Sequence, residues 1–127
     1  MRTPRCLLIL AVAVLGVNAC AHHAHESEAV EPYEAPTLRI ENHHWLDMDI
    51  FVIHEGQRTR LGAVTAASTK VFVFPRGLVG GGRELRLVAD PVGAPGAVTT
   101  DTFVLHSGTQ VTWTLESNLQ RSSFTVY

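Results

Sequence analysis

Short apolar stretches separated by turn residues are the feature that most constrains how this chain can fold. The run Arg83–Ala89 alternates strictly, which predicts a strand with Leu85, Leu87 and Ala89 facing a core and Val88 facing solvent. The same two-residue period, or a short apolar run, recurs throughout the C-terminal two thirds of the sequence. The predicted strands cover residues 37–41, 48–54, 58–64, 69–74, 83–89, 98–105, 110–117 and 122–127.

The residues between the strands have the chemistry of turns. Glu55-Gly56-Gln57 predicts a hairpin, and the glycine-rich segment Arg76–Gly82 predicts a loop. Seven or eight short strands at this spacing predict an all-β fold, a single antiparallel β-sandwich of immunoglobulin-like architecture. A small β-barrel is the alternative. Trp113 is expected in the core, on the face that Val111 and Leu115 share.

The first 36 residues differ in composition from the rest of the chain. Arg2 and Arg5 precede an apolar run of residues 6–17, which is shorter than the roughly 20 residues that a membrane-spanning helix needs. A basic start, an apolar run and then small residues are typical of a secretory signal peptide, predicted here as residues 1–19. Residues 20–36 are rich in His, Glu and Pro and predict a flexible tether. Residues 37–127 are the predicted domain.

Val17-Asn18-Ala19-Cys20 resembles the lipobox of bacterial lipoproteins, which is cut before a cysteine that carries a diacylglyceryl group. Val17, Ala19 and Cys20 match this motif, and Asn18 is unusual at its position. The resemblance implies lipidation at Cys20 and anchoring to a membrane of the bacterial cell envelope, on its periplasmic or cell-surface side. An ordinary secretory signal is the alternative. Cleavage there leaves Cys20 as the only cysteine, so we expect no intramolecular disulfide.

Four stretches of the predicted domain also resemble small bacterial lipoproteins of unknown function. They are Asn42-x-x-Trp45-x-Asp47, the strand end Leu61-Gly62, the segment Leu85–Pro91, and Trp113-Thr114-Leu115. These motifs describe strands and turns, so the resemblance implies a β-sandwich-like domain and carries over no functional residue.

Charge and motif content exclude several classes of function. Eight basic and eight acidic residues balance each other in residues 37–127, and the tether has four glutamates without Lys or Arg. Nucleic-acid binding is therefore not expected, because it needs a basic surface. The chain has no G-x-S-x-G, no H-E-x-x-H and no phosphate-binding glycine loop. We therefore predict no catalytic residues and no enzyme.

Histidines and exposed aromatics are the remaining candidates for a site. His22, His23 and His25 lie close enough in the tether to share a divalent transition metal ion, although a flexible tether has no surrounding residues that would hold the imidazoles in place. His43 and His44 are adjacent, so their side chains diverge in extended backbone and suit a shared site poorly. Trp45, one of the two aromatic candidates, follows them directly.

Trp45 has two interpretations. It is either an exposed binding aromatic or a plug that covers one end of the sandwich, and the plug is the expectation because large aromatics usually bury.

These observations favour a structural or interaction module that contacts another envelope protein, a polymer or its own copies. The alternative is a metal-binding envelope lipoprotein that uses the tether histidines. A third hypothesis is a carbohydrate-binding module built around Trp45 or Tyr127.

Overall fold

The computed structural model describes residues 29–127, which form two facing β-sheets that do not close into a barrel. The predicted β-sandwich is therefore confirmed. Its strands are β1 (Thr37–Asn42), β2 (Met48–His54), β3 (Gln57–Val64), β4 (Ser68–Val73), β5 (Glu84–Pro91), β6 (Val98–Thr99), β7 (Phe103–Val104), β8 (Gln110–Leu115) and β9 (Ser123–Val126). Two short 3-10 helices cover Arg76–Leu78 and Leu119–Arg121. No helix of the described part is long and apolar enough to cross a membrane.

The first sheet has the order β4-β1-β8-β9. β1 pairs antiparallel with β4 but parallel with β8, with Thr37 opposite Gln110. This parallel pair departs from the fully antiparallel arrangement that the sequence predicts. Alternation of apolar and polar residues is the same in both kinds of pair, so it does not distinguish them.

The second sheet has the order β3-β2-β5, and both β6 and β7 pair with the far side of β5. β2 and β3 are joined at Glu55-Gly56, where both residues have positive φ angles, 50° and 77°. That is the geometry of a tight hairpin turn whose twist matches its strands. The predicted hairpin is confirmed.

The predicted strand 98–105 is interrupted. Thr99 lies opposite Val88, but Phe103 lies opposite Leu85, so the edge strand contains one residue more than β5 over this stretch. Thr100 fills the interruption, because its hydroxyl oxygen accepts from Leu87 N–H at 3.0 Å. The extra residue is a bulge, and it divides the predicted strand into β6 and β7.

The inner faces of the two sheets form one core. Trp113 is 2% exposed and meets the ring of Phe124 edge-on, with ring centroids 6.5 Å apart. The predicted core position of Trp113 is confirmed. The largest fully buried side chains around it are Leu38, Ile40, Met48, Ile50, Phe74, Leu85, Leu87, Leu105 and Leu115.

Val88 is an exception to the predicted alternation. It was expected to face solvent, but it is only 5% exposed. Val88 lies opposite Phe51 on the outer face of the second sheet. The guanidinium of Arg58 lies 3.7 Å from the centroid of the Phe51 ring and bonds to Asp90 at 3.1 Å. The arginine therefore covers an apolar stripe on the outer face.

The sandwich has two ends, and β1 and β8 begin at the same one because they run in the same direction. The chain enters at one of them, where Glu34 O accepts from Gly108 N–H at 2.8 Å and Pro36 O accepts from Phe74 N–H at 3.0 Å. We call this the entry end, and the predicted tether reaches it before residue 37. The opposite end, the far end, carries loops 43–47, 65–67, 92–97 and 116–122. Cys20, His22, His23 and His25 lie outside the described residues.

Candidate functional site

Trp45 stands exposed at the far end. It is 68% exposed, so the expectation that it plugs the sandwich is wrong. The inner side of its loop is already occupied by His44, which is 6% exposed. The two rings stack with centroids 4.0 Å apart and planes 24° from parallel. One face of the indole is therefore supported by His44, and the ring as a whole projects from the domain.

A buried amide holds this loop in place. Asn42 is the last residue of β1. Its side-chain Nδ2 donates to Leu46 O at 2.9 Å and to Thr65 O at 3.1 Å. Its Oδ1 accepts from His44 N–H at 3.0 Å. Asn42 is 1% exposed, so these bonds form away from water, where leaving a polar group unpaired is costly. They join the 43–47 loop to the loop that follows β3.

Further bonds fix the ring that supports Trp45. His44 Nδ1 accepts from Leu46 N–H at 3.1 Å, which sets the plane of the imidazole. Ala67 N–H donates to His44 O at 3.1 Å, and Ala66 N–H donates to the Asp47 carboxylate at 2.8 Å. The Trp45 platform, by which we mean residues 42–47, is therefore tied to its neighbours on several sides.

A polar groove lies beside the 43–47 loop. Its volume is about 480 Å³, and Glu116, Ser117, Asn118 and Arg121 line it. His43 connects it to the platform, because His43 Nδ1 lies 3.5 Å from a Glu116 carboxylate oxygen. The groove offers a carboxylate, a guanidinium, an amide and a hydroxyl, which together can donate and accept hydrogen bonds.

The histidines of the described part do not form a metal site. His43 turns to the groove while His44 is buried, as their adjacent positions predict. Across residues 29–127, no three His, Cys, Asp or Glu side chains come close enough together to hold a metal ion. Metal binding by His22, His23 and His25 stays a prediction, and a zinc titration with and without their replacement by Gln would test it.

Tyr127, the other aromatic candidate, is exposed at the entry end. Its main chain forms both hydrogen bonds with Gln110, at 3.1 and 2.8 Å. The two aromatic candidates are therefore at opposite ends of the sandwich and cannot contribute to a single site.

No family model matches the chain, and no curated protein matches it. Among solved structures, the chain is similar to the NMR structure of a protein from Eubacterium rectale. The two are 15% identical, and the match covers 74% of this chain and 87% of that chain with a TM-score of 0.44. The assignment of a two-sheet β-sandwich rests on the strand pairing described above.

Proposed function

We propose that this protein is a lipid-anchored bacterial envelope protein whose β-sandwich is an interaction module, with the Trp45 platform as its contact surface. The lipobox-like motif ending at Cys20 supports the anchor. The observation that carries the binding role is the exposed, supported indole of Trp45 at the end opposite to chain entry. A tether at one end leaves the other end free for a partner.

An exposed indole of this kind suits binding in two ways. Tryptophan is among the residues that contribute most to binding energy at interfaces, because its large rigid ring excludes water. The stacking on His44 and the Asn42 hydrogen bonds hold the loop before a partner arrives. Less conformational entropy is then lost on binding.

Among envelope partners, a glycan polymer fits the far end best. The C–H face of a sugar ring is apolar and flat, so it can stack on an indole, while the hydroxyl groups need both donors and acceptors. The groove beside the loop supplies these from Glu116, Asn118 and Arg121. An envelope protein that inserts an apolar side chain against Trp45 is the alternative partner.

Tryptophan fluorescence can test this proposal. In a Trp113→Phe background, Trp45 is the only indole, and we expect envelope glycan fragments to change its emission saturably. Trp45→Ala in the wild-type background should weaken binding to immobilised glycan about 30-fold, the equivalent of a hot-spot loss of about 2 kcal/mol. Tyr127→Ala, an exposed aromatic at the entry end, should bind normally. Unchanged emission with both glycans and purified envelope proteins would refute the proposal.

The anchor has its own test. Cys20→Ser should release the protein from the membrane fraction or leave it uncleaved, because the acceptor thiol is lost. Mass spectrometry of the variant should show no acyl groups. Cys6→Ser changes a cysteine within the predicted signal peptide and should leave anchoring intact. An unmodified mature N-terminus in the wild-type protein would contradict the lipoprotein assignment.

A further inference from the structure

The edge strands of the sandwich are unequally protected against pairing with other strands. Exposed edges are usually blocked by charges, bulges or shortness. β3 carries Arg58 and Arg60, which are ion-paired to Asp90 and Asp49. β6 and β7 have two residues each and are separated by the Thr100 bulge, and β9 has four residues. β4 has six residues and no bulge, and its one charged residue is Lys70.

The free side of β4 can be assigned from one hydrogen bond. Phe74, the residue directly after β4, donates its N–H to Pro36 O. The register is continuous, so the even-numbered residues of β4 also point their N–H and C=O groups toward β1. In an antiparallel pair this direction alternates. Thr69, Val71 and Val73 therefore direct their N–H and C=O groups away from β1. Within residues 29–127, no strand pairs with that side.

The side chains along this edge are uncharged on the outer face. Val71 and Val73 are 55% and 61% exposed. The one charged residue of β4 is Lys70, and its Nζ donates to Ala63 O at 3.0 Å and lies 5.1 Å from the centroid of the Phe72 ring. The lysine is therefore turned to the inner side of the sandwich, and the outer face of β4 beside the valines carries no charge.

We propose that β4 pairs with β4 of a second copy of this chain, antiparallel and with Val71 opposite Val71. The two four-stranded sheets then join into one eight-stranded sheet. Such a contact is isologous and closes on itself, as most homodimer contacts do. This proposal is independent of the binding role of Trp45.

The register follows from the sequence of the strand. With Val71 opposite Val71, Thr69 lies opposite Val73, so all three free residues form hydrogen-bonded pairs. Lys70 then faces Phe72 of the second copy. Shifting this register by two residues in one direction places Lys70 opposite Lys70, and like charges directly opposite each other repel. Shifting it by two residues in the other direction places Thr69 opposite Pro75, which has no N–H to donate.

The pairing also determines how the two copies are oriented. Because it is antiparallel, the two entry ends lie at opposite ends of the joined sheet. Two copies anchored to one membrane would therefore lie with their strands along it. The chain from Cys20 to Glu31 spans at most roughly 40 Å when extended, which is enough for both tethers to reach that membrane.

Cysteine cross-linking of the full chain in membranes tests the register. Hydrogen-bonded residue pairs have Cα atoms about 5.5 Å apart, within the range of a disulfide. Val71→Cys should give at least about tenfold more disulfide-linked homodimer on mild oxidation than the wild-type chain, in which any dimer comes from Cys6 or Cys20. Thr125→Cys, at an exposed position on β9, is the matched control and should stay at the wild-type level.

Two further variants distinguish paired strands from chance collisions. Thr69→Cys alone should not cross-link, whereas Thr69→Cys co-expressed with Val73→Cys should. Sedimentation of the detergent-solubilised wild-type chain should show a dimer. Val71→Lys should show a monomer with an unchanged melting temperature, and Thr125→Lys should stay dimeric. A monomeric wild type, equal cross-linking by Val71→Cys and Thr125→Cys, or a cross-linked product of any other mass overturns the proposal.

Discussion

Replacing Trp113 by alanine is expected to leave the domain close to unfolding. The indole is 2% exposed, lies on the central strand β8 and packs edge-on against Phe124. Replacing a buried tryptophan by alanine typically costs about 3–5 kcal/mol, because burial is lost and a cavity remains. A small domain has only about 5–15 kcal/mol of stability in total. Urea unfolding followed by circular dichroism should show a much lower midpoint than in the wild type.

The matched control is the other tryptophan. Trp45→Ala removes the same side chain from an exposed position, so its free energy of unfolding should change by less than about 0.5 kcal/mol. If the free energy of unfolding of Trp113→Ala fell by less than about 1 kcal/mol, the core position of this residue would be contradicted.

The second large effect is expected at Asn42. Asn42→Ala leaves Leu46 O, Thr65 O and His44 N–H without their partner. An unpaired buried polar group costs about 1–3 kcal/mol, so we expect the free energy of unfolding of Asn42→Ala to fall by at least about 2 kcal/mol. The 43–47 loop should also loosen. In the Trp113→Phe background, the fluorescence anisotropy of Trp45 should therefore fall.

Asn118 provides the comparison for Asn42. Its exposed side chain accepts a single hydrogen bond from Gln120 N–H at the start of a 3-10 helix, so Asn118→Ala should cost about 1 kcal/mol or less. It should leave the anisotropy of Trp45 unchanged. An Asn42→Ala variant with wild-type stability and anisotropy would show that the amide does not hold the platform.

Most of the strands could be predicted from the sequence, because burial on one face of a strand imposes a period of two residues. Trp113 and the Glu55-Gly56 hairpin follow from local patterns of this kind. Val88 could not be placed in the same way, because its surroundings on the outer face come from other strands, with Phe51 of β2 directly opposite. The parallel pairing of β1 with β8 and the Thr100 bulge also depend on neighbours that are distant in sequence.

The candidate site was only partly predictable. Trp45 was recognised as either a plug or a binding aromatic, and the choice depended on whether His44 would occupy the inner side of the loop. Asn42 was missed as a structural residue, although a signal was present. Leu38 and Ile40 face the core, and the same alternation directs Asn42 inward. A single amide at the inward-facing end of a strand indicates that its side chain binds the main chain of the next loop.

The parallel pair of β1 and β8 determines the order in which the chain can assemble during synthesis. β1 lies inside the first sheet, yet its neighbour β8 comes about 70 residues later. At 5–20 residues per second, that separation corresponds to a delay of roughly 4–15 s. The β2–β3 hairpin is local and can form during this interval. The first sheet cannot be completed until the C-terminal segment has emerged, so one edge of β1 remains without its permanent partner until almost the whole chain has been made.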